Sequence, residues 1–325
     1  MKVMNMVQAI NSALENALAE NEHTVLYGED VGREGGVFRV TAGLQEQFGE
    51  KRVFDSPLAE SGIVGTAVGM AATGLKPIVE MQFSGFSYHS FHQVINQVAR
   101  MRNRTRGKYT APIVIRMPYG GGIKAPEHHS ESMEVLYAAI PGLKVVIPSS
   151  PHDAKGLLIS AIRSEDPVVF MEPKRLYRSI KQEVQEEAFS IPLGTARVVQ
   201  EGEEVTLLSY GAGMREALKA VEEMNRRGVS VELIDIRSVY PLDRATIGES
   251  VRKTGRVLAV HEGPESYGPG AELITTAIDE AFLYLEAPPR RLSGFDTVIP
   301  FPQGEHWYIH TPERIVHELQ KLVDY

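Results

Sequence analysis

Short runs of aliphatic and β-branched residues alternate with segments of helical periodicity along most of the chain. The runs TVLYGED, KPIVEMQF and APIVIRMP are typical of buried strands, whereas MVQAINSALENALAE and PHDAKGLLISAIRS repeat apolar residues at helical spacing. This alternation predicts a parallel sheet flanked by helices, an α/β fold. Pro151 stands at the expected start of the second helix, where its missing N–H costs nothing.

The pattern changes near residues 181–195. The stretch RSIKQEVQEEAFSIPLG is charged and lacks strong periodicity, so it reads as a linker or a surface crossing. Further apolar runs follow, among them EVTLLSYG, VSVELIDI and RVLAVHE, with helical segments between them. We therefore predict a first domain over residues 1–185 and a smaller α/β domain over residues 195–325.

Composition excludes several classes of function. The net charge is −8 with acidic and basic residues interspersed, so nucleic acid is not an expected partner. Cysteine is absent, which excludes disulfides and thiolate chemistry and favours a reducing compartment. The Met1 end lacks a signal-peptide pattern, and the apolar runs are shorter than the roughly 20 residues of a membrane helix. We expect a soluble cytoplasmic protein.

One acidic residue stands out in the stretch SPLAESGIVGTAVGMAATG, which reads as a buried helix. Glu60 lies there among small and apolar residues. In one interpretation Ser56 caps the helix, Pro57 begins it, and Glu60 interacts with its positive end. In the other, Glu60 is held in a dry pocket to bind a ligand nitrogen, because burial raises the pKa of a carboxyl group towards neutrality. Spacing alone favours the first interpretation and leaves the second open.

Two further stretches carry candidate chemistry. The pair His128 and His129 follows three glycines and Pro126, which suits either simple surface exposure or acid–base chemistry; no third ligand stands nearby at zinc spacing. EMQFSGFSYHSF carries an amide and several rings where a strand passes into a helix. Such rings are usually core, but a flat heteroaromatic ligand needs the same groups. The basic cluster in EPKRLYR is interpreted as a solvated face or a subunit contact.

Ordered motifs extend over nearly the whole chain. They include LYGEDVGREGGVFRVTAGL, RVFDSPLAESGIVGTAVGMA, APIVIRMPYGGG, HSES, LKVVIPSSPHDAKGLLISAIR and PVVFMEPKRLYRS. Together these motifs resemble one family, the β subunits of thiamine diphosphate-dependent 2-oxo acid dehydrogenases. These are decarboxylating components of the pyruvate and branched-chain complexes, with a transketolase-like pyrimidine-binding domain and a transketolase C-terminal-like domain.

The resemblance implies roles for individual residues. Glu60 bonds N1′ of the cofactor's aminopyrimidine, so that the exocyclic nitrogen can take the proton from the thiazolium ring. Gln82 and Phe86 border the aminopyrimidine. Tyr88 lies at the adjoining pocket with His89. His129 assists transfer of the acyl group to lipoamide, with His128 as its neighbour in the pocket.

The resemblance also implies what lies outside the chain. The Gly-Asp-Gly motif that anchors Mg²⁺ and the diphosphate does not occur here, so a separate α subunit is expected to hold both. The expected assembly is an α2β2 heterotetramer, inactive without α, which docks onto the acyltransferase core through that core's peripheral subunit-binding domain and acylates its lipoyl domain. Some members hold a structural potassium ion; Asp166 matches one of its ligands, but Ser164 stands where others carry Asp.

Alternatives remain at the level of substrate and class. FSGFSY and APEHHSES resemble pyruvate-preferring members, whereas EPKRLYR and RLSGFDT resemble branched-chain ones. The first pair lies nearer the expected pocket and favours pyruvate over 2-oxoisovalerate. A self-sufficient transketolase-like enzyme would need a much longer chain. A non-catalytic α/β scaffold subunit would have no need of Glu60, Gln82 and His129 together.

Overall fold

The computed structural model describes all residues from Met1 to Tyr325, and they form two compact units. Unit 1 comprises residues 1–119 and 136–193, and unit 2 comprises residues 120–135 and 194–325. Both units are α/β, which confirms the predicted fold class. The assignment of residues 120–135 to unit 2 has no counterpart in the sequence pattern, which indicates only one boundary.

The sheet of unit 1 is parallel. The strands of this unit are β1 (Lys2–Asn5), β2 (Thr24–Gly28), β3 (Val53–Asp55), β4 (Lys76–Glu80), β5 (Val114–Tyr119), β6 (Lys144–Val146), β7 (Val168–Pro173) and β8 (Lys181–Val184). Their order in the sheet is β6-β7-β5-β4-β2-β3, while β1 pairs separately and antiparallel with β8. Strands β2, β5 and β7 are buried along their whole length, as expected where helices cover both faces of a sheet.

Unit 1 contains several α-helices, and two of its long ones begin with a side-chain cap. These helices are α1 (Met6–Glu20), α2 (Leu44–Phe48), α3 (Glu60–Ala72), α4 (Phe91–Gln93), α5 (Met101–Arg104), α6 (Val135–Ala138) and α7 (Pro151–Arg163). Asn5 and Gln8 form a capping box at α1. Ser150 caps α7, and the predicted start of this helix at Pro151 is confirmed. A 3₁₀ helix spans Ser84–Ser90 before α4, and a π-helical turn spans Val94–Val98 after it.

The charged segment interpreted as a linker is anchored to α7. Lys155 is fully buried, and its Nζ donates to Ser12 Oγ (2.9 Å) and to the carbonyl oxygens of Gln185 (2.8 Å) and Glu186 (2.6 Å). Burial lowers the pKa of Lys155. Further along, Ile191 N donates to Gly156 O (3.1 Å). The segment therefore follows the surface of unit 1 through specific bonds up to Ile191.

The predicted apolar strand β5 carries one buried charge. Arg116, 1% exposed, donates to both carboxylate oxygens of Glu172 (2.8 and 3.1 Å) and to Glu80 Oε2 (2.7 Å). Tyr177 also donates to Glu172 (2.7 Å). These bonds join the neighbouring strands β4, β5 and β7, since a buried charge is tolerated only when it is paired and hydrogen-bonded.

Unit 2 has its own sheet and core. Its strands are β9 (Arg197–Gln200), β10 (Val205–Ser209), β11 (Val231–Asp235), β12 (Ser238–Tyr240), β13 (Val257–Val260) and β14 (Arg290–Leu292). Its helices are α8 (Gly213–Arg226), α9 (Arg244–Thr254), α10 (Pro269–Ala281), α11 (Glu305–Tyr308) and α12 (Pro312–Val323). The sheet order is β14-β13-β10-β11-β9, parallel except for β9. Apolar residues of α8 and α12 pack on this sheet to form the core. No helix of either unit has the length and apolar character to span a bilayer.

Candidate active site

The carboxyl ends of β2, β3 and β4 meet at one edge of the sheet in unit 1. Gly28, the last residue of β2, is in register with Asp55 of β3 and Glu80 of β4. Open α/β sheets bind ligands at this edge. Glu29 follows β2, Glu60 begins the helix after β3, and Gln82 follows β4. The edge therefore carries acidic and amide side chains from separate parts of the sequence.

Helix α3 positions Glu60. The helix begins at Glu60, its N-cap is Ala59, and no side chain caps it. The predicted cap at Ser56 and start at Pro57 are therefore wrong; Ser56 instead donates its backbone N–H to Gly28 O (2.9 Å). Glu60 is 7% exposed. Its first-turn position still places the carboxyl group near the positive end of the helix.

The rest of α3 is buried on one face only. Ile63 and Val64 face the core, and Tyr27 of β2 donates its hydroxyl to Ile63 O (2.8 Å), which ties the helix to the sheet. The opposite face, made of small residues, is exposed in this chain, so the predicted buried helix is only partly buried. The exposed positions include Ser61, Gly62, Thr66 and Gly69.

Two acidic residues that the sequence analysis missed follow β2 at this edge of the sheet. Glu29 is buried, and burial raises its pKa, with the charges of Glu60 and Asp30 adding to the effect. Asp30 accepts a hydrogen bond from Gln82 Nε2 (2.9 Å). In the sequence they appear only as two acidic residues after the apolar strand in LYGED. An ordinary surface loop has the same pattern, so the sequence does not mark them as site residues.

The aromatic candidates lie on the 3₁₀ helix Ser84–Ser90, which packs against α3. Phe86 is half-buried and meets the ring of Phe83 edge-on (5.5 Å, 73°). Tyr88 is also half-buried, whereas His89 is exposed. Lys174 is 4% exposed, and its Nζ lies 5.7 Å from the centre of the Phe83 ring. The interpretation of the basic cluster as a solvated face is therefore wrong for Lys174.

The candidate histidines belong to unit 2, on the segment Gly120–Val135, which we call the histidine loop. His128 is exposed, with Nδ1 3.9 Å from Glu131 Oε1, and His129 is half-buried. A single 3₁₀ turn holds both, with His129 N donating to Pro126 O (2.9 Å). Gly120 N donates to Glu131 O (3.0 Å) and closes the loop.

A buried carboxyl group lies at the end of the histidine loop. Glu134 is fully buried, and its Oε1 accepts a hydrogen bond from the hydroxyl of Tyr210 (2.5 Å) at the end of β10. Burial raises the pKa of Glu134 to about 6, and the charge of Glu262 adds to this, although the bond from Tyr210 opposes it. Part of this group is therefore protonated just below neutral pH.

Comparison with known families covers both units of the chain. Residues 2–180 match the transketolase pyrimidine-binding domain, and residues 194–315 match the transketolase C-terminal domain. A protein of Acholeplasma laidlawii named pyruvate dehydrogenase E1 component subunit beta is 53% identical over 99% of this chain and 98% of its own length. The chain belongs to this E1 β-subunit family. The resemblance that its motifs indicate is thereby confirmed, as is its class, a component of a thiamine-dependent 2-oxo acid dehydrogenase.

Other relatives of the E1 β family extend over the same length. Proteins with the same name from Staphylococcus epidermidis and Mycoplasma genitalium are 50% and 48% identical, over 100% and 98% of this chain and of their own lengths. A solved split-gene transketolase, described as an inactive β4 tetramer, has a TM-score of 0.81 at 21% identity and covers 99% of both chains. This last likeness establishes the fold.

The side chains at the sheet edge fit the pyrimidine half of thiamine diphosphate. Glu60 supplies a buried carboxyl group for a ring nitrogen, and Gln82 supplies an amide fixed by Asp30. Phe86 supplies a half-buried ring. Hydrogen-bonding groups at an otherwise apolar site are what an aminopyrimidine needs, because its ring nitrogens require partners once water is excluded.

The residues around Asp166 do not fit a potassium ion in this conformation. Arg102 Nε lies 2.5 Å from Asp166 Oδ1, and Lys144 Nζ lies 3.7 Å from Oδ2. Lys144 also donates to Ser164 Oγ (3.1 Å). The carboxylate already has two cationic neighbours, which compete with a metal ion for the same oxygens. Potassium binding at Asp166 stays an untested prediction.

Proposed function

We propose that this chain is the β subunit of a pyruvate-decarboxylating dehydrogenase and that Glu60 is the carboxyl group that exchanges a proton with the cofactor's aminopyrimidine. The buried position of Glu60 at the carboxyl edge of the sheet carries this proposal. A carboxyl group is costly to bury, so its placement at a ligand-binding edge favours a chemical role over a structural one.

Each site residue of this chain has its own proposed role in the reaction. Thiamine diphosphate, when bound, supplies the electron sink for loss of CO₂. Glu60 exchanges a proton with the pyrimidine from its buried position, and Glu29 lies close enough to it for their charges to interact. Gln82, fixed by Asp30, orients the pyrimidine, and Phe86 offers it a ring face. His129 moves a proton at its imidazole during acyl transfer to a lipoyl group.

An α subunit completes the site in this proposal. The exposed face of α3 supports it, because Gly62 and Gly69 allow close approach of another backbone to the helix that begins with Glu60. The α subunit is proposed to hold Mg²⁺ and the diphosphate in an α2β2 assembly, which docks onto the acyltransferase core. Unit 2 also exposes large apolar side chains that suit subunit contacts, including Tyr267, Leu283 and Trp307. We also propose that the protein is located in the cytoplasm.

Pyruvate is the proposed substrate, because the relatives named above are pyruvate dehydrogenase subunits at about half identity over the full chain. The branched-chain acid 3-methyl-2-oxobutanoate is the second candidate, favoured by the stretches EPKRLYR and RLSGFDT. The ratio of rates with the two acids decides between them.

The test is reconstitution with the α-type subunit. Decarboxylation of both acids is measured with thiamine diphosphate and Mg²⁺ for wild type, Glu60→Gln and the exposed control Glu46→Gln. We expect activity only with both chains, a loss of roughly 100-fold or more in Glu60→Gln, and no loss in the control. Activity of the β chain alone, or full activity of an assembled, cofactor-loaded Glu60→Gln tetramer, would contradict the proposal.

A further inference from the structure

Backbone amides of the histidine loop bind two carboxylates of unit 2. Gly121 N donates to Glu262 Oε1 (2.5 Å). Gly122 N donates to Glu305 Oε1 (2.7 Å), and Lys124 N donates to Glu305 Oε2 (3.0 Å). Glu305 therefore uses both oxygens on one short stretch of backbone, and it is only 5% exposed. Hydrogen bonds to an ionised acceptor are among the stronger ones in proteins.

The conformation of this stretch suits anions. Gly120, Gly122 and Lys124 have φ values of +83°, +91° and +58°, so every second residue is left-handed. Alternation of this kind turns successive N–H groups towards one side and forms a concave anion site. The three consecutive glycines thus build an anion-binding loop, and the anions that it binds are carboxylates of the same chain.

Glu262 reaches both ends of the histidine loop. Besides Gly121 N, its Oε1 accepts a hydrogen bond from Ser132 Oγ (2.8 Å). Glu262 follows β13, and Tyr210, which binds Glu134, follows β10. α/β domains usually bind ligands at the carboxyl edge of the sheet. In unit 2, residues at this edge instead bond both ends of the loop that carries His128 and His129.

We infer that Glu262 and Glu305 are positioning residues that hold His129 in place for acyl transfer to the lipoyl group. The inference rests on the proposed role of His129. Neither glutamate needs to touch the substrate, because each acts through the loop. Glu305 holds the backbone before the short turn at residues 127–129, and Glu262 bonds the loop on both sides of that turn. A displacement of about 1 Å at a reacting group is enough to slow a reaction by up to roughly 100-fold.

The geometry singles out Glu305→Gln as the informative variant. Both oxygens of Glu305 accept backbone N–H groups, and a glutamine of the same shape has only one acceptor. Its amide N–H group would therefore face another N–H group and loosen the loop. Glu265→Gln is the matched control, since Glu265 is exposed and lies three residues after Glu262.

A second variant changes the loop backbone and not the glutamates. Gly120 has a φ of +83°, which alanine rarely adopts, and a Cβ added there would come within 3.2 Å of Glu262 Oε1. Gly120→Ala should therefore strain the loop backbone while leaving both glutamates unchanged. This variant decides the outcome if Glu305→Gln fails to assemble.

The experiment compares these proteins and His129→Ala in the assembled α2β2 complex. Decarboxylation with an artificial electron acceptor is measured beside acylation of a lipoyl domain, and hydrogen–deuterium exchange is followed over residues 120–135. For Glu305→Gln we expect lipoyl acylation to fall roughly 10- to 100-fold, decarboxylation to stay within about 2-fold, and exchange in the loop to become faster. For His129→Ala we expect slower acylation with unchanged exchange.

The outcomes separate this inference from the proposed function. Unchanged acylation in His129→Ala would remove the proposed role of His129 and the inference with it. Slow acylation in His129→Ala, together with wild-type acylation and exchange in Glu305→Gln and Gly120→Ala, would overturn the inference alone. Equal loss of both activities in these two variants would also overturn it, because it would indicate a general structural role.

Discussion

At the scale of single residues, Glu134 links protonation to stability. Its pKa of about 6 in the folded chain lies above the ordinary value of 4.5, so folding favours the protonated form. Stabilisation is full below about pH 4.5 and is lost as pH rises through about 6. The loss amounts to about 2 kcal/mol, since one pKa unit corresponds to about 1.4 kcal/mol.

Glu134→Gln should remove this dependence. The amide has the shape of the protonated carboxyl group, and its oxygen can still accept the bond from Tyr210. The free energy of unfolding of the variant, relative to that of wild type, should rise by about 2 kcal/mol between pH 4.5 and 7.5. This corresponds to several degrees in melting temperature. His261, whose pKa burial lowers to about 3, acts in the opposite direction, so the difference between the two proteins is the quantity to measure. A difference that does not change with pH would contradict the assignment.

Some of the site residues could be predicted from the sequence, and others could not. Glu60 could be singled out because a carboxyl group among small apolar residues is unusual at that position. Glu29 and Asp30 could not, since acidic residues after a strand look like any loop. Glu262 and Glu305 bind amides 141 and 183 positions away, and single-sequence spacing carries no information about such partners. The functional roles of the site residues remain predictions.

At the scale of elements, α7 and the segment after β8 form one structural piece. Lys155→Met would leave the carbonyl groups of Gln185 and Glu186 without their donor. A hydrogen bond to a charged donor contributes about 1.5–3 kcal/mol to stability. We therefore expect a lower melting temperature and faster proteolysis near residues 185–191. Lys181→Met, at an exposed position of β8, is the control; equal protease resistance in both variants would show that Lys155 does not anchor the segment.

Elements were predicted most reliably where local chemistry decides them. Ser150 and Pro151 specify the start of α7 through a side-chain cap and a residue that needs no N–H partner. Ser56 and Pro57 have the same signature, but Ser56 N bonds the end of β2 and the chain does not become helical until Glu60. Tertiary hydrogen bonding overrides the local signal there, and the effect is to place Glu60 in the first turn.

At the scale of the whole molecule, a substitution on the exposed face of α3 can test subunit assembly separately from folding of the chain. A Cβ at Gly69 would meet no atom within 4 Å, so Gly69→Leu should leave the β chain folded. It should even stabilise the helix by up to about 1 kcal/mol, because glycine is a poor helix former. If an α subunit packs against this face, the same change should weaken α2β2 formation. Light scattering of the co-expressed chains, with Gly69→Ala as the milder control, tests this; normal assembly of Gly69→Leu would place the contact elsewhere.

The passage of the histidine loop into unit 2 has a consequence for recombination between relatives. The chain leaves unit 1 after Tyr119, contributes residues 120–135 to unit 2, and returns before it crosses finally at residue 194. A chimera joined only at residue 194 would therefore pair one parent's loop with the other parent's Glu262 and Glu305. Functional exchange of unit 2 requires three crossovers, before residues 120, 136 and 194, so that the loop and its carboxylates are inherited together.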